Sequence, residues 1–326
     1  MHNKLRTTFI YTIILTLMTA FTVGMAAPAN AADGTRPAAP VKLIFVHHSV
    51  GENWISDDQG GLGRALNANN YYVSDTNYGW GPDSIGDRTD IPNWLEWFRS
   101  TNTTRYTTAL YNETGQHSSY TRTLANPGGQ NTIIMFKSCF PNSSLAGNPN
   151  DPPTPGANLT VGNAKFVYNE LLQYFVTHPE KLFVVITAPP NSDTQYGANA
   201  RAFNEWLRTR WLSENHYPLK NVAVYDFYNV LTGPDNHDRL VNGVEQHTYT
   251  PGMNSAYYVS GGDDHPNVTG SIKARNEFIP VLNSFYNTWK ASNKTLQTKT
   301  VSLPSNALQD GWLAESRQGS NIGVAS

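Results

Sequence analysis

Short apolar runs rich in β-branched and aromatic residues recur along the chain and predict buried strands. A largely continuous run of this kind is typical of a strand that is covered on both faces of a sheet. The predicted strands are residues 41–47, 71–74, 132–136, 182–187 and 222–227.

The segments between these runs carry apolar residues at three- and four-residue spacing, which predicts amphipathic helices. The predicted helices are residues 61–67, 92–99, 162–175, 198–212 and 268–289. Strands that alternate with helices indicate a parallel sheet with helices on both faces. Two long polar connections, residues 101–130 and 233–262, exceed the usual loop length and suggest functional insertions.

The two ends of the chain differ from this pattern. Lys4 and Arg6 precede an apolar run that closes in small residues, which is typical of a secretory signal peptide. We expect cleavage after Ala31 and export of the protein; the alternative is an uncleaved membrane anchor. The chain then divides into a signal peptide (1–31), a linker (32–40), one large domain (41–292) and a polar tail (293–326).

Composition excludes several kinds of partner. The net charge is −2 and no Lys/Arg cluster occurs, so a nucleic-acid partner is not expected. No basic amphipathic stretch predicts membrane contact after signal cleavage. Charged residues make up only 15% of the chain and aromatic residues 12%, a balance that suits uncharged polar matter such as carbohydrate. Cys139 stands alone, which excludes an internal disulfide, and we expect it to be a small buried hydrophobe.

The ends of the predicted strands carry residues that fit nucleophilic catalysis. Ser49 follows the first strand, a turn at 77–81 follows the second, Asn142 follows the third, and His265 precedes the last helix. Ligands bind at the carboxyl ends of the strands in such sheets. A serine hydroxyl needs a base to take its proton, and a tetrahedral oxyanion needs oriented donors. We expect the Asn142 amide to be such a donor and to face a solvated cleft.

This order resembles the SGNH or GDSL-like hydrolase superfamily over residues 41–289. The resemblance implies a flavodoxin-like three-layer α/β/α sandwich with a mostly parallel five-stranded sheet, and it implies ester hydrolysis. Carried over by position, Ser49 is the nucleophile and His265 the base. The oxyanion hole comprises the amides of Ser49 and Gly81, with Gly79 as an alternative, and the side chain of Asn142.

The sequence departs from the superfamily pattern at each block. His47-His48-Ser49 replaces Gly-Asp-Ser, and Phe140-Pro141-Asn142 replaces Gly-x-Asn-Asp. The acid normally stands three residues before the histidine, where this chain has Gly262. We expect Asp263 to be the triad acid because the side chain of the adjacent Asp264 would have to turn back sharply. A Ser-His dyad remains an alternative.

Metal chemistry is the other interpretation of these residues. His47 and His48 could bind an ion with Asp263, Asp264 or His247, but adjacent residues of a strand point to opposite faces. The acidic positions between 75 and 90 lack the spacing of an EF-hand loop. We therefore expect no metal and no cofactor.

The sequence predicts a secreted serine esterase that acts on O-acetyl or other short acyl esters of carbohydrate. Tyr78 and Trp80 are the candidate substrate-binding residues. The alternatives are a catalytically inactive carbohydrate-binding or surface protein on the same fold, and an O-acyltransferase.

Overall fold

The central feature of the protein is a parallel sheet. The computed structural model describes residues 32–300 apart from Gly261, with side chains up to Asn293. Five strands in this part of the chain form one sheet in the order β2-β1-β3-β4-β5, and all neighbours are parallel. The strands are β1 (Val41–Val46), β2 (Tyr71–Asp75), β3 (Ile133–Lys137), β4 (Leu182–Ile186) and β5 (Val222–Tyr225). This order is that of a flavodoxin-like sheet, and the predicted fold class is confirmed.

Side chains alternate between the two faces of the sheet, and each face has its own core. Ile44 and Val46 of β1 belong to a core that also holds aromatic residues of the helices on one side. Leu43 and Phe45 belong to the core on the other side, with Trp54. Helix, sheet and helix therefore form three layers.

The helices occupy the two outer layers. They are α1 (Val50–Ile55), α2 (Leu62–Ala68), α3 (Trp94–Arg99), α4 (Thr103–Asn112), α5 (Val161–Phe175), α6 (Gly197–Thr209), α7 (Trp211–Glu214), α8 (Phe227–Val230) and α9 (Val268–Thr300). Helices α3, α4, α5 and α6 contribute to the first core, and α1, α2 and α9 to the second. Among residues 32–300, with Gly261 left out, no helix combines the length and apolar character needed to cross a membrane.

Several predicted boundaries are wrong. Strand β1 ends before His47, and Phe227 begins α8 in place of ending β5. Arg210 separates α6 from α7, which were predicted as one helix. Helix α9 continues past Trp289 into the predicted tail. The predicted signal peptide and the tail beyond Thr300 lie outside the described residues.

The two long connections contain secondary structure that the sequence patterns did not predict. Helix α4 lies in the first connection. The second holds the antiparallel hairpin β6 (His237–Val241) and β7 (Val244–Thr248), and β8 (Tyr258–Ser260), which pairs with β9 (Asp263–Pro266). Each of these strands is short and half polar, so the apolar-run criterion missed them.

A buried polar pair lies beneath α1. His47 follows β1 directly, and its Nε2 lies 3.2 Å from Asp75 Oδ2, with both side chains fully buried. Burial lowers the pKa of His47 despite this carboxylate. Burial raises the pKa of Asp75, but hydrogen bonds, first that from His47, outweigh it and hold the pKa below its usual value. His47 is therefore neutral and donates from Nε2 to an ionised Asp75.

Gly51 in the first turn of α1 packs directly on this pair. A Cβ added there would lie 2.4 Å from His47 Cβ and 2.8 Å from its Nδ1. We expect Gly51→Ala to destabilise the fold by roughly 1–3 kcal/mol, because the fixed imidazole cannot move aside. Thermal denaturation followed by circular dichroism checks this. Gly262→Ala is the control, because no atom lies within 4 Å of its added Cβ; equal melting temperatures for both variants would contradict the packing argument.

Candidate active site

Ser49 lies between β1 and α1 in a strained backbone conformation. Its φ is 49° and its ψ −104°, outside the regions that residues with a side chain favour. Ser49 occupies the N-cap position of α1, yet its side chain makes no cap hydrogen bond. Its Oγ instead forms a hydrogen bond with His265 Nε2. Strain of this kind persists only where the surroundings enforce it, and it is frequent at active sites.

The short strand β9 places an acid and a histidine on one face. Asp263 Oδ1 lies 2.6 Å from His265 Nδ1 and also accepts from the His265 backbone N–H at 3.0 Å. Residues i and i+2 of a strand point to the same side, which explains the contact at this unusual spacing. The two hydrogen bonds from His265, first the backbone one, lower the pKa of Asp263. Asp263 is therefore an ionised acceptor that fixes the His265 tautomer with a proton on Nδ1.

Asp264 points away from the histidine. As the intervening residue of β9 it projects to the opposite side, where its Oδ1 accepts from Ser192 N at 2.8 Å. This bond ties β9 to the loop after β4. The structure therefore brings Ser49, His265 and Asp263 into one hydrogen-bonded chain and leaves Asp264 out of it.

The turn after β2 contains the two glycines that were candidates for a backbone donor. Gly79 and Gly81 both have positive φ, 72° and 76°, which residues with a Cβ rarely adopt. The Gly79 N–H donates to Asp87 Oδ1 at 2.7 Å, so it is occupied. The N–H groups of Gly81 and Ser49 have no partner among the described residues. Of the two candidate glycines, Gly81 is the one whose amide is free.

Asn142 is buried and does not face a solvated cleft as predicted from the sequence. It is 1% exposed and lies in the 3₁₀ helix Phe140–Ser143 after β3. Its Oδ1 accepts from Ile91 N at 2.7 Å and its Nδ2 donates to Asp90 Oδ1 at 2.6 Å. The expected placement is wrong because the segment before α3 covers the end of β3. One Nδ2 hydrogen is left without a partner among the described residues.

We expect Asn142→Ala to affect both stability and turnover. The change leaves the buried Ile91 N–H without its acceptor, which costs roughly 1–3 kcal/mol. If the second Nδ2 hydrogen serves the oxyanion, kcat falls by a further roughly 10²–10³-fold at constant KM. Melting temperature and steady-state kinetics check the two parts separately. A lowered melting temperature with unchanged kcat would make Asn142 a structural residue only.

Tyr78 is the aromatic residue that reaches the site. It is 60% exposed, and its ring stacks on His48 with centroids 4.7 Å apart. Burial raises the pKa of Tyr78, and a hydrogen bond between its hydroxyl and the Ser49 side chain opposes this shift. His48 is itself half-buried, and burial, with the charge of Lys137, lowers its pKa to about 4. A neutral imidazole and a phenol therefore form one wall beside Ser49.

Trp80 does not belong to this wall. The ring is only 7% exposed, stacks on Trp97 at 6.0 Å and donates from Nε1 to Glu113 Oε2 at 2.6 Å. Trp94 and Trp97 are fully buried as well. The candidate role of Trp80 in substrate binding is wrong in this structure, because apolar packing and a hydrogen bond hold the ring inside the core.

The residues considered for a metal site do not converge. His247 Nε2 lies 2.9 Å from Asp226 Oδ2, at the end of β5, whereas His47 bonds with Asp75. The acidic positions between 75 and 90 contact separate partners, as shown for Asp75, Asp87 and Asp90. Within the described ranges, no group of three or more His, Cys, Asp or Glu side chains could hold a metal ion. Cys139 is a buried free thiol, as expected.

Sequence reasoning missed the residues that contact Asn142 and His265 and hold them in place. Asp90 and Asn93 form a capping box around Ile91–Asn93, and Asp90 also accepts from Asn142. Phe140 places its ring edge against His265, with centroids 5.3 Å apart. The Asp-x-Pro-Asn pattern at 90–93 is a helix-start signal that could have indicated Asp90 as a cap. No pattern in the sequence indicated its contact with Asn142.

Comparisons with known proteins assign no family. No family model matches the chain, and no curated protein matches it. Among solved structures, a carbohydrate esterase whose active site is described as displaying divergent catalytic and non-catalytic binding functions is similar in part. It is 12% identical, with a TM-score of 0.36, and the match covers 78% of this chain and 68% of that chain.

Proposed function

We propose that this protein is a serine esterase that hydrolyses O-acetyl or other short acyl esters of carbohydrate, with Ser49, His265 and Asp263 as its triad. The observation that carries the proposal is the continuous hydrogen-bonded chain from Ser49 Oγ through the His265 ring to Asp263 Oδ1. Each link has the polarity that the reaction needs. The nucleophile faces the base nitrogen, and the other ring nitrogen faces a carboxylate.

In the first half of the reaction, Ser49 Oγ attacks the ester carbonyl carbon while His265 Nε2 takes the hydroxyl proton. Asp263 stabilises the imidazolium that forms, since Nδ1–H donates to its carboxylate. The carbonyl oxygen becomes an oxyanion, for which the free N–H groups of Ser49 and Gly81 and the remaining Nδ2 hydrogen of Asn142 are the candidate donors. His265 then protonates the leaving alcohol, and an acyl group remains on Ser49.

In the second half, water replaces the alcohol. His265 takes a proton from the water as the water oxygen attacks the acyl carbon. The protonated His265 then donates this proton to Ser49 Oγ as the carboxylic acid leaves. Ser49 and His265 are only half-buried, which allows water to enter. This access favours hydrolysis over acyl transfer to a second alcohol. The complete hydrogen-bonded chain favours catalysis over a purely binding role.

The substrate part of the proposal rests on Tyr78. Its exposed ring lies beside the nucleophile, where a sugar face could stack on it. A secreted location, expected from the predicted signal peptide, would place the protein among extracellular polysaccharides. The wall that Tyr78 forms with His48 carries no charge at neutral pH, which suits an uncharged ester.

The proposal is tested with purified protein on p-nitrophenyl acetate, p-nitrophenyl octanoate, and acetylated xylan and pectin. We expect hydrolysis of the acetate ester in preference to the octanoate ester, and acetate release from at least one polysaccharide. Tyr78→Ala should lower activity on polysaccharide more than on p-nitrophenyl acetate. No hydrolysis of any ester above the rate of the Ser49→Ala variant would overturn the proposed function.

A further inference from the structure

Lys137, the last residue of β3, is a buried ammonium without a partner. It is 1% exposed, and its Nζ has no hydrogen-bond partner among the described residues. The other buried lysines of the described chain all donate to oxygen atoms: Lys42 to Gly129 O, Lys165 to Pro149 O and Asp151 O, and Lys181 to Gln130 Oε1 and Asn131 O. A buried charge without a partner lowers the stability of the fold. Packing therefore does not explain why a lysine occupies this position.

The sheet register places this charge under the Ser49 turn. Val46 of β1 pairs with Phe136 of β3, and these are the residues directly before His47 and Lys137. Ile133 and Met135 face the core that contains α1 and α9. Lys137 follows at the same two-residue spacing, so its side chain is on the same face of the sheet. Lys137 therefore lies on the face on which α1 begins, next to the residue on which Gly51 packs.

The charge of Lys137 acts on the two residues directly before Ser49. Burial is the main cause of the lowered pKa of His47 and of His48, and the positive charge of Lys137 lowers both further. Burial lowers the pKa of Lys137 itself to about 8. At neutral pH the ammonium therefore remains mostly protonated while both imidazoles are neutral.

Building on the proposed esterase function, we propose that Lys137 supplies a buried positive charge that stabilises the oxyanion formed at Ser49. A charge in a low-dielectric interior acts over several ångströms, and stabilisation of developing negative charge by groups already in place is a large part of such catalysis. Among the described residues no carboxylate bonds with the Lys137 ammonium, so an oxyanion formed during the reaction meets a positive charge that is not already paired. This accounts for an ammonium that is kept without a partner in the resting enzyme.

The experiment compares Lys137→Met with Lys181→Met in the full chain. Lys181 is also buried, but it directly precedes β4 and so lies at the amino ends of the strands, away from Ser49. Its Nζ donates to Gln130 Oε1 and Asn131 O. For Lys137→Met we expect kcat on p-nitrophenyl acetate to fall about tenfold or more, with KM within twofold. This is less than the roughly 10²–10³-fold loss on removal of a direct oxyanion donor. Its melting temperature should equal or exceed that of the wild type.

For Lys181→Met we expect the reverse: a lower melting temperature and an unchanged kcat per folded enzyme. Lys137→Gln, which keeps a polar side chain, replaces Lys137→Met if the latter does not fold, with the same expected loss of kcat. Wild-type kcat in both Lys137 variants, or a loss of stability equal to that of Lys181→Met with kcat retained, overturns the inference and leaves the proposed function standing. An inactive wild type overturns both.

Discussion

Ser49→Ala should lower kcat/KM for p-nitrophenyl acetate by about 10⁴-fold or more, the loss expected when a triad nucleophile is removed. The change takes away the atom that attacks the carbonyl and the hydroxyl that bonds with His265. It should leave the fold intact, because the Ser49 side chain makes no cap hydrogen bond to α1. Steady-state kinetics and thermal denaturation check both expectations.

Ser56→Ala is the matched control for this variant. Ser56 is buried at the other end of the same helix, so it reports the effect of losing a serine hydroxyl from α1 without touching the triad. Its kcat/KM should remain within twofold of the wild type. If Ser49→Ala kept more than about a tenth of the wild-type activity, Ser49 would not be the nucleophile.

Asp263→Asn should lower kcat by about 10²–10⁴-fold, whereas Asp264→Asn should leave it close to the wild-type value. The amide in place of Asp263 can no longer stabilise the imidazolium, and it can donate to Nδ1 and so favour the wrong His265 tautomer. The side chain of Asp263 is 46% exposed, so solvent screens part of its charge and the loss is smaller than for a buried acid.

The Asp264 variant is the control because Asn keeps an oxygen that accepts from Ser192 N. The two variants should therefore have similar melting temperatures and very different kcat values. Equal and small losses of kcat would indicate a Ser-His dyad. A larger loss in Asp264→Asn would contradict the assignment of the acid.

The sheet could be predicted because its strands are buried on both faces. A short continuous apolar run such as residues 133–136, bounded by Thr132 and Lys137, favours a buried strand over a helix. Because helices alternate with these strands, neighbouring strands are expected to be parallel. Ligands bind at the carboxyl ends of such strands, which is where Ser49 stands in the sequence. The boundaries were less predictable: His47 and Phe227 were assigned to the first and fifth strands, but β1 ends at Val46 and β5 at Tyr225.

The contacts within the site could be predicted only where local geometry dictates them. Asp263 and His265 lie on the same side because β9 is a strand, yet its four residues, Asp-Asp-His-Pro, carry no strand signal. The difference between Gly79 and Gly81 depends on Asp87, and the burial of Asn142 depends on a segment about 50 positions earlier in the sequence. Tertiary contacts of this kind leave no periodic pattern.

Aromatic composition misled the prediction for Trp80. Trp80 was a candidate because aromatic residues cluster near the end of the second strand, but Trp97 stacks on its ring and Glu113 accepts its Nε1–H. Tyr78, two residues earlier, has the exposure that was expected of both. The core buries the ring of Trp80 and leaves that of Tyr78 exposed, and only the three-dimensional packing shows this difference.

The central claim, that Ser49 is the nucleophile that forms an acyl-enzyme, is tested most directly by covalent labelling. The wild-type protein is treated with a fluorophosphonate, digested, and mapped by mass spectrometry, with Ser49→Ala and His265→Ala treated in parallel. We expect one adduct, on the peptide that contains Ser49, and none in either variant. An adduct on another serine, or esterase activity that persists without modification of Ser49, would contradict the account.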